Sequence, residues 1–499
     1  MNAIVILCDT LRRDHCGPYH LGRPVSQCGY PEQPDWVIPT PNLDRLARRG
    51  TVFDNAWMGS APCMPARRDL HTGRYEFPWR GWGPLAEDDL DLPRQVSGAP
   101  NQSVSLMMQN HLPVSCLVTD HFHLWEQGSG NYHMGYTGFE FIRGHEADAW
   151  YTDPVAFACN ERERLTKNER HFRNVHFTRK SEADWFAPQV FQAAADWLER
   201  NRGHESFFLN IDCFDPHEPW DPPEEMVKAF DPRGYKDDFR STAPYSKWRG
   251  AMSEAEFTNL RARYTAHVAL TDRALGLLLD RMDALDLWDD TLLIFTTDHG
   301  TFNGDFGRMG KLQTHTHSSI ANIPFIVCHP DLAHGERREQ LVQLVDIYPT
   351  VLSALGREIP PDRHGVDLTP VLADSRAQTR AHAVCGMFGQ SVTITDGRWV
   401  LHQPPAAENS PLYWYDYCLA KFLPYDLGPY VNGRREVRNC HLFEGDVWLS
   451  DRAADPAERR NLAESNPRRL RAMQGALKDA LIRLDAPSEQ LDRLGLRQL

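Results

Sequence analysis

The sequence predicts an α/β fold: a large, mostly parallel or mixed sheet sandwiched by helices, with a smaller C-terminal subdomain of antiparallel sheet plus helix. Three observations predict it. Short apolar runs recur up to about residue 375 and read as strands buried on both faces. Helical patterns lie between those runs, so strand and helix alternate. Beyond that point the pattern changes to strand-like alternation around a turn, then to a polar helical tail. The expected division is residues 1–375 as the main α/β domain and 376–499 as the α+β subdomain.

The first run, residues 3–7, begins almost at once and leads into Asp9. Residues 42–49 form a helical pattern stopped by Gly50, a residue type favoured just past a helix end. The runs at 114–118, 207–211, 292–296 and 325–327 read as further strands, and the helical patterns at 185–200 and 261–282 separate some of them. In the second part, residues 384–402 alternate around Asp396-Gly397, a turn signal. Residues 466–484 read as the final helix. In sheets built this way, ligands bind beyond the carboxyl ends of the strands. Polar clusters stand there: Asp9; His121 and His123; Asp212, Asp215 and His217; Asp298 and His299.

The chain has 499 residues, 41% hydrophobic and 24% charged, which suits a large buried core. Its net charge of −14 argues against nucleic acid or an anionic membrane as partner. The balance leaves an anionic small molecule open, because a few local cations can dominate a site. No targeting segment is visible, and no apolar stretch is long enough for a bilayer. The 11 cysteines show no regular framework. The expectation is therefore a cytoplasmic chain with mostly reduced thiols. Homo-oligomerisation stays open, since composition does not report it.

The sharpest local string is Cys63-Met64-Pro65-Ala66-Arg67, followed by Leu70, Thr72, Gly73 and Arg74. Alone, it reads as a buried cysteine in a turn. It does not stand alone. The stretch from Ile4 to Asp14, Thr40-Pro41-Asn42-Leu43-Asp44, Asp215-Pro216-His217-Glu218-Pro219 and Thr297-Asp298-His299-Gly300 follow in order. Gly310-Lys311, Ile323-Pro324, Val345 to Thr350, and Asp455-Pro456-Ala457-Glu458 with Asn461-Leu462 complete the series. Together these strings resemble the formylglycine-dependent sulfatases of the alkaline phosphatase superfamily, over nearly the whole chain.

The resemblance implies a sulfuric ester hydrolase. Cys63 would be oxidised to formylglycine by a maturation enzyme, and the substrate would be a small-molecule sulfate ester. Asp9, Asp298 and His299, with the modified Cys63, would hold a divalent metal. Calcium is the ion implied first, with manganese and magnesium as alternatives. One hydroxyl of the hydrated aldehyde would attack sulfur; the second would expel sulfate as the aldehyde re-forms. Arg67, four residues after Cys63, would share its helical face and meet the metal carboxylates. His217 would protonate the leaving alcohol, and Lys311 would bind sulfate oxygens. His123 matches a family histidine of the catalytic set, and His121 would contact substrate.

Some positions depart from the family pattern. His121 replaces a lysine, so one sulfate-binding cation becomes a titratable group. Thr10 follows Asp9 where many sulfatases have a second aspartate, and Asn322 stands where a basic residue is common. His299 follows Asp298 where asparagine is usual. Related phosphonate and phosphodiester hydrolases carry Asp-His there, often with manganese, so a phosphorus substrate is the alternative reading. A third reading is a catalytically silent scaffold. Asp14 reads as either an orienting residue or a helix cap. His315 and His317 read as either pocket-lining or solvated loop residues. Residues 143–148 read as a pocket-shaping loop, and 412–417 as either an aromatic platform or subdomain packing.

Overall fold

The computed structural model describes residues 1–86, 89–97, 113–126, 130–148, 150–151, 175–176, 178–234, 241–311, 315–418, 426–440 and 445–498. The elements that position the site are, in chain order, β1 (Asn2–Cys8), α1 (Pro41–Arg49), β2 (Thr51–Trp57), β3 (Ser60–Ala61), α2 (Cys63–Thr72), β4 (Val114–Thr119) and β5 (Gly138–Phe141). There follow α3 (Phe186–Asn201), β6 (Phe207–Cys213), α4 (Glu254–Ala284), β7 (Thr291–Thr296), β8 (Phe325–Cys328), β9 (Glu336–Gln343) and α5 (Ile347–Ala354). The C-terminal part adds β10 (Ala383–Met387), β11 (Val392–Thr395), β12 (Trp399–Gln403), β13 (Trp448–Asp451) and α6 (Pro467–Arg483).

The main sheet has eight strands in the order β9-β2-β8-β7-β1-β6-β4-β5. Only β8 runs antiparallel to its neighbours, so the sheet is mixed but mostly parallel. The continuous apolar run of β1 follows from its central place. Ile4, Ile6 and Cys8 pack on one face with Val190 and Phe191 of α3 and Leu275 of α4. Ala3, Val5 and Leu7 pack on the other face with Met64 and Leu70 of α2 and Tyr348 of α5. Successive side chains point to opposite faces, and here both faces are core. Each fully buried Ile, Val or Leu contributes about 1.5–3 kcal/mol.

Helix α4 starts earlier than its apolar pattern suggests, because a capping box closes its N-terminus. Glu256 N–H donates to Ser253 Oγ at 3.2 Å, and Ser253 N–H donates to the Glu256 carboxylate at 2.7 Å. Gly50 does follow α1, but with φ −118° it is extended, not left-handed. Glycine is needed there because a Cβ would meet the Val327 carbonyl at 2.6 Å.

A second sheet has the order β13-β12-β11-β10-β3. Its C-terminal strands pair antiparallel, and the turn at Asp396-Gly397 joins β11 to β12. Strand β3, however, comes from just before α2 and pairs parallel with β10. Tyr75, Phe77 and Val345 also enter the core that this sheet shares with α6. No helix among the described residues is long and apolar enough to cross a membrane.

Candidate active site

Four neighbouring strands, β7, β1, β6 and β4, run parallel, so their carboxyl ends lie together. Asp9 leaves β1, Asp298 follows β7, Asp212 ends β6, and His121 follows β4. Cys63 opens α2 against them. The ligand atoms of Asp9, Cys63, Asp298 and His299 all lie within 4.8 Å of one another, and all four residues are buried.

Local structure fixes each group. Thr10 holds φ +63°, a costly conformation for a β-branched residue. The turn lets its N–H donate to Asp298 Oδ1 at 2.9 Å and its hydroxyl to Asp9 Oδ1 at 2.5 Å. The Tyr264 hydroxyl from α4 donates to the Thr10 carbonyl at 2.9 Å and accepts the Arg12 N–H. Arg12 is itself pinned between Asp14 and Asp305. Asp14 therefore orients the Asp9 loop through Arg12.

Arg67 lies one turn beyond Cys63 and is fully enclosed by acceptors. Its Nε and one terminal nitrogen bind Asp212 at 2.8 and 2.6 Å. The other reaches Asp9 Oδ2 and Asp298 Oδ2, both at 3.0 Å, and the Cys63 carbonyl at 3.2 Å. Burial opposes the Arg67 charge, but the three carboxylates prevail and raise its pKa. Lys311 Nζ lies 2.9 Å from Thr10 Oγ1, 3.2 Å from Cys63 Sγ and 3.7 Å from Asp9 Oδ1. Burial alone would raise the Asp9 pKa; Lys311 and Arg67 hold it well below the usual carboxylate range. Burial, with Asp9 beside it, pushes the Cys63 thiol up.

The donor set fits a divalent cation. His299 Nδ1 donates to the Gly300 carbonyl at 2.8 Å, so Nε2 carries the lone pair. That atom faces Cys63 Sγ at 3.5 Å and Asp298 Oδ2 at 3.3 Å. Asp9 Oδ2 is buried and faces the Arg67 guanidinium at 3.0 Å, with no well-aligned hydrogen bond among the described residues. Two carboxylates and one neutral imidazole are hard-to-borderline ligands.

The remaining predicted residues gather around Phe214. His217 and His121 stack on that ring, with centroids 4.2 and 4.3 Å away. His217 Nδ1 donates to the Glu218 carbonyl at 2.6 Å, which directs any transferable proton to Nε2. His121 is fully buried with neither ring nitrogen hydrogen-bonded among the described residues. Burial, then Arg67, pushes its pKa well below the usual value, so it is neutral and does not replace the missing lysine's charge. His123 is held by Glu126 and by Glu146; burial opposes its charge, but the two carboxylates raise its pKa. His315 and His317 are not solvated: both are buried, against Asp446 and Glu458 respectively.

A sulfatase family model matches residues 1–357. The chain belongs to the sulfatase family. It is 26% identical over 423 residues to the multifunctional alkaline phosphatase superfamily protein PehA of Trinickia caryophylli, covering 75% of this chain and 77% of that one. It is 23% identical over 470 residues to arylsulfatase K of Xenopus laevis, covering 89% and 78%. Two solved structures share the fold. One is a protein in complex with its substrate D-glucosamine-2-N,6-O-disulfate, with TM-score 0.66, 15% identity and 98% of both chains covered. The other is a phosphonate monoester hydrolase of Agrobacterium radiobacter, with TM-score 0.63, 18% identity and 97% and 95% covered.

Several working residues of this sulfatase were not singled out by sequence. Asp212 was noticed at a strand end, but its bidentate grip on Arg67 was not. A buried chain behind Phe214 was also missed. His145 Nδ1 lies 2.7 Å from Asp120, and Asp215 Oδ1 lies 3.5 Å from His145 and 3.0 Å from His267. Asp120 also accepts the Phe214 N–H at 2.7 Å. The polar clusters after β4 and β6, and the 143–148 stretch that carries His145, were the signal for this network.

Proposed function

We propose that this sulfatase cleaves a small-molecule sulfate monoester to an alcohol and inorganic sulfate. In this reading a maturation enzyme oxidises Cys63 to formylglycine, and Asp9, Asp298 and His299 hold a divalent ion, calcium first. One observation carries the reading: the Cys63 sulfur lies among those three residues at neighbouring strand ends. The bound ion would polarise an ester oxygen, and the hydrated aldehyde would supply a hydroxyl nucleophile. The buried, pushed-up thiol of unmodified Cys63 is a weak nucleophile by comparison.

The chain's own residues supply the rest. Arg67 locks Asp9, Asp298 and the start of α2 into one geometry. Lys311 places a positive charge beside the Cys63 side chain, where sulfate oxygens carry negative charge. With Nδ1–H engaged by the Glu218 carbonyl, a second proton carried on His217 Nε2 is the one given to the leaving oxygen. His121 offers a neutral ring to the substrate, and His123 one whose charged form is favoured by two glutamates. The described cysteines are all free, in keeping with a cytoplasmic setting.

The second reading is a phosphonate monoester or phosphodiester hydrolase on the same residues. The nitrogen ligand of His299 favours it, because imidazole fits manganese better than it fits calcium, which takes oxygen. The test uses the chain co-expressed with a maturation enzyme. Intact mass should fall by about 18 Da, the difference between thiol and aldehyde. Aryl sulfates and aryl phosphonates are then assayed side by side with calcium, magnesium and manganese. Sulfate turnover is expected to dominate; turnover of phosphonates alone overturns the first reading.

A further inference from the structure

We infer that the protein carries a second divalent-cation site, formed by His317 Nδ1, His402 Nε2 and Glu458 Oε2, and that it takes zinc. Each of the three residues offers a ligand atom within 4.8 Å of those of the other two. His402 Nε2 is 2.6 Å and His317 Nδ1 is 3.1 Å from Glu458 Oε2. All three residues are buried, at 4%, 0% and 0% exposure, where an isolated carboxylate is costly. They come from separate stretches: the loop after Lys311, strand β12, and the turn after β13. Glu458 holds φ +56° to reach the cluster, a conformation rare outside glycine.

The opposite atoms of His402 and Glu458 are held in place, as ligands require. His402 Nδ1 meets Thr393 Oγ1 at 2.7 Å, and that hydroxyl meets Thr316 Oγ1 at 3.0 Å. Glu458 Oε1 accepts the Ser318 N–H at 2.9 Å and the Ser318 hydroxyl. Such outer contacts fix ring orientation at metal sites. Two imidazoles and one carboxylate form a zinc donor set with a fourth position open. Two nitrogens among three donors disfavour calcium and magnesium, which take oxygen.

Zinc bonds of about 2.0–2.2 Å place tetrahedral ligand atoms roughly 3.3 Å apart. His402 and Glu458 must therefore separate slightly, and the proton between them leaves to solvent as the ion enters. The bound ion would tie the Lys311 loop to the C-terminal sheet. This inference does not depend on the chemistry of Cys63.

The test uses the full, untagged chain, stripped with chelator, dialysed against zinc and measured by elemental analysis. Asp298→Asn disables the first cluster. That variant should still retain about one zinc per chain. Adding His402→Gln should weaken zinc binding by about 100-fold or more. Zinc should raise the melting temperature of the first variant and not the second. Anomalous diffraction at the zinc edge, from soaked wild-type crystals, should place a peak between the three ligand atoms. No zinc on Asp298→Asn, binding indifferent to His402→Gln, or no peak there overturns the proposal. The diffraction result holds even if a variant fails to fold.

Discussion

The Cys63 side chain has few structural duties. It is buried at the head of α2, and Lys311 keeps Thr10 and Asp9 as partners without it. Cys63→Ala is therefore expected to abolish turnover while the melting temperature stays within about 3 °C of wild type. A parallel fall of both would make the residue structural. His217 makes a different prediction. A general acid typically supplies about 100-fold to 10,000-fold, and only where the leaving group needs a proton. His217→Ala should cost alkyl sulfates at least about 100-fold in kcat, and nitrophenyl sulfate less than about tenfold. Equal losses on both substrates would remove His217 from that role. At this scale the sequence was legible where chemistry is written in short spacing, as in Cys63 and Arg67. It was not legible where buried partners meet from far apart. Asp212 and Arg67 are separated by 145 positions, and the strain at Thr10 exists only once β1 and β7 are paired.

The elements were readable where burial is uniform. The runs in β1, β4, β6, β7 and β8 are apolar because both faces, or nearly both, are covered. Strands β2, β5 and β9 were not identified. In β9 the first half reads Glu-Arg-Arg-Glu and is mostly exposed, since it forms the sheet edge and needs no apolar pattern. The strand direction of β8 was equally hidden, because an apolar run has no polarity. Helix α2 gives the sharpest test at this scale. It ends at Gly73, which holds φ +65° and donates its N–H to the Asp69 carbonyl at 2.9 Å. A Cβ there would stand 3.0 Å from the Tyr348 ring. Gly73→Ala should cost about 1–2 kcal/mol from the backbone alone. Urea unfolding should show a lower midpoint with an unchanged slope. An unshifted midpoint would mean that the helix ends differently in solution.

Across the whole molecule, the second sheet draws on both sides of the change of pattern near residue 375. Strand β3 sits two residues before Cys63 and pairs with β10, so the C-terminal sheet braces the helix that begins at Cys63. A linear reading separates these stretches because two-residue strands leave no periodic trace. The same enclosure shapes the response to acid. His71 is buried on α2, with Nδ1 2.9 Å from the Arg67 carbonyl and Nε2 3.0 Å from the Tyr136 hydroxyl. Burial depresses its pKa to about 4. His364, stacked between Tyr75 and Trp79, accepts the Tyr75 N–H and is depressed to about 3, mainly by burial. Both are neutral when folded and take up a proton more readily when unfolded. The unfolded chain thus binds more protons between about pH 6.5 and pH 4, and stability falls as pH drops through that window. For His71 alone the shift corresponds to at most about 3 kcal/mol. These two histidines should therefore pull the melting temperature down as pH falls from 7 to 4.5. His71→Gln keeps a polar side chain of similar reach but cannot titrate, so its curve should be visibly flatter over the same range. Parallel curves for the two proteins would show that His71 does not carry this acid sensitivity.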